Sequence, residues 1–270
     1  MNFKRAFCWL IAVLFWSFAH AAELVDLDAV AHTLAPTGEL RVGVYLGSPT
    51  SMVIDPKSGE VNGVAVRLGN ALAEAIHRPV RVVRFDRVAQ VIDALKHEQI
   101  DMTFTNATAV RAQDVDFTPA LIRLELGILV VAHSSVQQFI DVNDAAFRLG
   151  VAKGSSSQSV LGTKLNFTKI VPVDSLEQAQ HMLTSGELNG FATNKGILFE
   201  LAEQVPGARV LKDRWGFENL AIAVPKGRDA GMPYLRDFAQ ARKQQGDLQR
   251  MAERAGLRGL AETDQPTKER

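Results

Sequence analysis

Cysteine is nearly missing from this chain. The single cysteine, Cys8, lies in an apolar stretch at the N-terminus. Without that stretch the chain holds no thiol, which excludes disulfides and cysteine-bound metal. Net charge is missing too. The 30 basic side chains balance 30 acidic ones, a formal charge of +0. That argues against non-specific binding to nucleic acid or to an anionic membrane. No basic stripe is interleaved with aromatics, so no nucleic-acid partner is expected. Nucleophile-elbow, H-E-x-x-H and phosphate-loop signatures are absent. No cofactor or metal is expected. His77, His97 and His181 fall in helical or helix-end stretches with no partner pattern, so no acid–base pair is read from them.

What is present begins with a targeting segment over residues 1–21. Lys4 and Arg5 form a positive start, Ala6 to Phe18 is apolar, and Ala19-His20-Ala21 is an A-x-A cleavage site. The expectation is a mature chain from Ala22, soluble in the periplasm and monomeric. At 270 residues the chain holds one large or two small domains with ample core. Its 47% hydrophobic and 22% charged residues are ordinary for a soluble globular protein.

Periodicity then gives alternating strands and helices. The first half reads as strand 38–44, helix 66–76, strand 80–85, helix 88–97 and a short strand from Ile100. That order predicts an α/β unit with a largely parallel sheet, whose ligands sit beyond the carboxyl ends of the strands. Two loops lie there. One carries Tyr45, Ser48, Thr50 and Ser51; the other starts at Asn106. The apolar run 121–132 reads as a strand leaving this unit, and 134–146 as polar and partly helical. A second α/β unit starts near Phe147, and a strand from Leu220 returns to the first. The residues over 214–219 read as a loop, 233–254 as helical, and 263–270 as a disordered tail.

The stretch Asp101 to Pro119 organises this reading. A period-two strand gives way to Asn106-Ala107-Thr108, with Arg111 three residues on. Small polar residues after a strand leave backbone N–H groups free. An arginine beyond them adds a planar fork matched to a carboxylate. On composition alone, a surface pairing of Arg111 with Asp114 or Asp116 has equal weight. In the second unit, Gly154-Ser155-Ser156-Ser157 follows a strand and opens a helix, a plain cap or an anion site at the positive helix end.

These residues carry a family resemblance. Thr108-Ala109-Val110-Arg111 with Val115-Asp116-Phe117-Thr118-Pro119 resembles the T-x-x-R…VDFS-P signature of the family 3 solute-binding proteins, the receptors of polar amino acid ABC transporters. Gly38 to Val44, and Gly150 to Leu161, resemble further family patterns. The resemblance implies an α/β, two-lobed periplasmic-binding-protein fold of type II, with two hinge crossings near Ala132 and Leu220. The first lobe would take 22–131 and 220–262, the second 132–219. It also implies that Thr108 and Arg111 hold a ligand carboxylate, with the Ser155–Ser156 loop opposite. Asn106, Ser48, Thr50 and Tyr45 would line the same cleft. At the position of the aspartate that pairs with an α-ammonium group in that family, this chain has Asn194. An amide gives up the charge pair, worth on the order of 1.5–3 kcal/mol against about 1 for a neutral bond. An amine-free organic acid then fits, unless another acid such as Glu218 restores the charge. Trp215 or Phe217 would serve as an aromatic cover, or as core.

The expectation is therefore a non-enzymatic receptor for a small carboxylate-bearing solute, an amino acid or related organic acid, docking on a membrane permease. The alternatives are a cyclohexadienyl-dehydratase-like lyase on the same fold and a ligand-sensing partner protein without a transport role.

Overall fold

A computed structural model describes residues 26–55 and 57–261. The expected leader, with Cys8, and the expected tail lie outside the described residues. None of the described helices is long and apolar enough to cross a membrane.

The first lobe opens with α1 (Leu27–Leu34), β1 (Leu40–Tyr45), the hairpin β2 (Val53–Ile54) and β3 (Val61–Asn62), and α2 (Val64–Ala75). It continues through β4 (Val80–Phe85), α3 (Val88–Lys96), β5 (Thr103–Asn106) and β6 (Val115–Phe117). The strand β7 (Ile122–Val130) leads into the second lobe. There lie β8 (Arg148–Ala152), α4 (Ser156–Lys164), β9 (Lys169–Val173), α5 (Leu176–Thr184), β10 (Gly190–Asn194), α6 (Lys195–Gln204) and β11 (Arg209–Val210). The strand β12 (Gly216–Pro225) returns, followed by α7 (Met232–Gln244) and α8 (Asp247–Arg254).

In the first lobe β1 pairs in parallel with β4, and a parallel bridge from Val42 to Met102 carries the order on to β5. In the second, β8 pairs in parallel with both β9 and β10. The two lobes are joined by β7 and β12, which run antiparallel with Ile122–Leu126 against Gly216–Leu220. The apolar core changes within these strands. Leu124 and Leu220 pack with Val42, Leu68 and Leu235 in one cluster, while Leu126, Ile128 and Trp215 pack with Val151 in another. The result is the two-lobed α/β architecture with two crossings that the sequence implies.

The start of β5 is fixed by a buried ion pair. Asp101 accepts from Arg41 N and Nε at 2.9 Å each and from Nη2 at 2.8 Å, and its side chain is fully buried. Such a pair is costly to break because either partner alone is an uncompensated charge. It ties β1 to the segment that carries Arg111.

Three local expectations differ. The loop expected over 214–219 is largely strand, because β12 already starts at Gly216. Its ladder with β7 supplies the backbone partners, while Phe217 sits beneath the guanidinium groups of Arg123 and Arg214 and so breaks the apolar pattern. The partly helical stretch over 134–146 is reduced to one 3-10 turn, Phe139–Val142, held by Asp141 accepting from Gln137 N and Gln138 N. The helical stretch over 233–254 is divided at Gly246, whose φ of 72° ends one helix and starts the next.

Candidate functional site

The ends of β1, β5, β8 and β10 meet at a cleft between the lobes. Its wall includes Tyr45, Thr50, Asn106, Arg111, Ser155, Ser156, Asn194 and Glu218.

Arg111 begins a 3-10 turn, Arg111–Gln113, just after β5. The Thr108 hydroxyl accepts from Arg111 N at 3.2 Å, which sets the turn. The guanidinium folds back toward the strand. Its Nη1 donates to Thr105 Oγ1 at 2.9 Å and to the Asn106 carbonyl at 3.1 Å. One corner is thereby anchored, and the rest of the fork has no hydrogen-bond partner among the described residues. Burial lowers the Arg111 pKa, and the carboxylate of Glu218 raises it. The group stays a cation at any ordinary pH.

Asn106 is a junction. Its Oδ1 accepts from Asn219 N at 2.9 Å, which joins β5 to the returning strand. Its Nδ2 donates to Ser156 Oγ of the second lobe at 3.3 Å. A second tie between the lobes is the ion pair of Arg87 with Asp174, at 3.3 Å. The lobes are thus drawn together. The enclosed space is about 40 Å³, far below the roughly 300–1,000 Å³ of a typical small-molecule site.

Opposite Arg111, Ser155 caps α4 by accepting from Gln158 N at 3.2 Å. The helix start thus faces the cleft with its positive dipole end. Asn194 caps α6 in the same way, its Oδ1 accepting from Ile197 N at 3.1 Å. This fixes the amide orientation, since a backbone N–H must meet the oxygen. The Asn194 nitrogen then donates to Glu218 Oε2 at 3.0 Å. Glu218 is 9% exposed. Burial pushes its pKa up, while Arg111 and the bond from Asn194 pull it down.

Seven of the nine residues singled out from sequence share this wall: Tyr45, Thr50, Asn106, Arg111, Ser155, Ser156 and Asn194. The other two sit behind it. Thr108 is engaged with its own turn. Ser48 is fully buried and lies 2.9 Å from Thr50 through their hydroxyls. Ser48 and Thr50 also bond the hydroxyl of Tyr45, which burial holds in its neutral form by raising its pKa. Trp215 is core, donating Nε1–H to the Gly127 carbonyl at 2.9 Å. The wall also holds Thr105, Asp86, Arg87, Ser175 and Thr193, which sequence reasoning missed. Glu218 had been weighed only as a substitute acid. An acid placed just before the apolar run Leu220–Val224 was the signal for it.

Comparisons with known proteins agree with the two-lobed fold. The chain is 24% identical over 180 residues to the ABC transporter glutamine-binding protein GlnH of Bacillus subtilis (strain 168), an alignment covering 65% of this chain and 66% of that protein. Its fold matches the solute receptor for L-cysteine of Neisseria gonorrhoeae with a TM-score of 0.74 at 22% identity, over 86% of this chain and 99% of the other. It also matches an ancestral amino acid-binding protein described as a precursor of cyclohexadienyl dehydratase, with a TM-score of 0.72 at 23% identity, over 84% and 98% of the two chains. The sequence profile of the bacterial extracellular solute-binding proteins, family 3, matches residues 40–257. The chain belongs to that family.

Proposed function

We propose that this protein is a periplasmic receptor that closes its two lobes on a small carboxylate-bearing solute and delivers it to the permease of an ABC transporter. The observation that carries the reading is the half-anchored fork of Arg111. One nitrogen is held by Thr105 and Asn106, and the remaining donors face a cleft between two lobes. The start of α4, with Ser155 and Ser156, faces the same space. A carboxylate placed there takes charge-assisted bonds from one lobe and backbone donors from the other. Only the closed form makes both sets of contacts, so binding and closure are coupled. The first lobe is taken as 22–131 and 220–262 and the second as 132–219, with β7 and β12 as the hinge strands.

The glutamine-binding relative of an ABC transporter supports the transport role. A lyase is not favoured. Among the described residues the cleft wall includes no histidine, and the solute-binding family and the glutamine-binding relative support a receptor over a lyase. The protein is read as non-enzymatic and active as a monomer.

The test is calorimetric titration and thermal shift of the mature protein with a panel of amino acids and organic acids. Arg111→Ala should abolish ligand-induced stabilisation and leave the ligand-free transition in place. Undiminished binding by that variant removes the assignment.

A further inference from the structure

We infer that Glu218, positioned by Asn194, is the acid of this chain that receives the cationic group of a zwitterionic solute. This rests on the carboxylate reading of Arg111 given above.

Glu218 stands on β12 opposite Leu124 of β7, in the stretch shared by the two lobes. Its side chain is more than nine-tenths buried and lines the same cleft as Arg111. Only one carboxylate oxygen is engaged. Oε2 accepts from Asn194 at 3.0 Å, and Oε1 has no hydrogen-bond partner among the described residues. Asn194 is a poor partner for a solute cation. Its oxygen already accepts from Ile197 N and carries no charge, and its nitrogen is a donor, which repels a cation. Asn194 is therefore a positioning residue, and Glu218 is the group with an open acceptor.

Of the charged residues in the cleft wall, Asp86 is exposed and Arg87 is paired with Asp174, while Arg111 and Glu218 are not paired with each other. Among the described residues neither Arg111 nor Glu218 makes an ion pair within 4.0 Å. Yet each lies close enough to shift the other's proton affinity. Glu218 is buried and Arg111 partly buried; opposite charges that do not touch are each poorly compensated, and an uncompensated charge out of water is expensive. A solute bearing both signs, set between them, compensates both. A plain anion compensates Arg111 alone and brings a second carboxylate toward Glu218, which disfavours it. The substitution of an amide at 194 and the acid at 218 belong together. An aspartate at 194 would set two carboxylates about a hydrogen-bond length apart, and like charges there cannot both stay ionised.

The experiment uses the mature protein. The probes are the 20 protein L-amino acids, γ-aminobutyrate and glycine betaine, followed by the deaminated carboxylic acid of each probe that binds. Wild type, Glu218→Gln and Arg111→Ala are titrated in parallel. The zwitterion should bind wild type about ten- to a hundredfold more tightly than its deaminated analogue, the range of a charged hydrogen bond. Glu218→Gln should collapse that ratio toward one, with the loss falling on the zwitterion. The inference is overturned if no zwitterion of the panel binds, or if zwitterion and analogue bind wild type alike. It is also overturned if Glu218→Gln leaves the ratio unchanged. Those outcomes leave the carboxylate reading standing wherever Arg111→Ala abolishes binding, whereas binding that survives Arg111→Ala defeats that reading instead. If Glu218→Gln does not fold, Glu218→Asp, which keeps the charge and withdraws it by one methylene, is titrated in its place and should lower the ratio; an unchanged ratio overturns the inference.

Discussion

Asn194 donates its side-chain amide to Glu218 across 3.0 Å, joining the cap of a second-lobe helix to a hinge strand. The bond fastens the second-lobe wall of the cleft to a hinge strand, although the two residues are 24 apart in the chain. Mutating either side of it has distinct consequences.

Asn194→Asp should retain the α6 cap, since a carboxylate accepts from Ile197 N as an amide oxygen does. It also places a second acid beside Glu218. One of the two must then hold a proton, and the ligand-free protein should lose about 1–3 kcal/mol near neutral pH, as when a buried group is left mismatched. Thermal melts at neutral and acid pH check this. The loss should shrink on acidification; an equal loss at both pH values counts against the mechanism.

The pH dependence of binding follows from the raised pKa of Glu218, whose main cause is burial. Arg111 and Tyr45 face it, and Asp86 and Arg87 line the same cleft. A carboxyl whose folded pKa lies above its unfolded value favours the ligand-free fold at low pH, and that contribution is lost as pH rises through the folded pKa. Binding of a cationic group has the opposite sign, because it needs the carboxylate. Affinity for a zwitterion should therefore fall as pH drops from neutral toward the raised pKa, above the usual carboxylate range. Titrations across that window should show the fall in wild type and a flatter profile in Glu218→Gln.

Arg111→Lys keeps the charge and loses the fork. A lysine cannot hold Thr105 Oγ1 and the Asn106 carbonyl while offering two parallel donors to a carboxylate. Binding should weaken by about tenfold or more without being abolished, with the loss in the dissociation rate. Stopped-flow or surface-plasmon measurement separates the two rates.

Ser156→Ala removes the acceptor for Asn106 Nδ2, a tie between the lobes at the cleft. The bond is 3.3 Å long and neutral, so about 0.5–1.5 kcal/mol is at stake. The closed population without ligand should decrease, read as a larger radius of gyration by small-angle scattering. An unchanged radius assigns the closure to other contacts.

Asp101→Asn tests the foundation of the site. It removes the charge that accepts from Arg41 N, Nε and Nη2 and leaves a buried guanidinium uncompensated. A loss of about 3–5 kcal/mol in denaturant unfolding is expected, with weakened binding because β5 carries Arg111 into place.

The amino-acid sequence by itself determined the alternation of strands and helices, the succession of two α/β units and the position of Arg111 just past a strand, while the two-lobed class came from the family resemblance. The first three are local properties. Period-two and period-3.6 patterns report which face meets a core, and small polar residues after a strand report a chain end open to a cleft. It also marked Ser155 as a helix start. Only the tertiary structure decided where Glu218 stands, buried in the cleft wall beside Asn194. Its strand lacks the apolar pattern because Phe217 and Glu218 face arginines and the cleft instead of a core, so the stretch reads as a loop. Its partner Asn194 lies 24 residues away, and Asn219, which fixes Asn106, lies 113 residues from it. The same holds for Thr108 and Ser48, whose residue types suit a binding role and whose hydroxyls are turned to neighbouring groups. Charge compensation inside a cleft is settled by which strands are brought side by side, and the register of β12 on β7 and β5 is fixed by long-range pairing that no local pattern encodes.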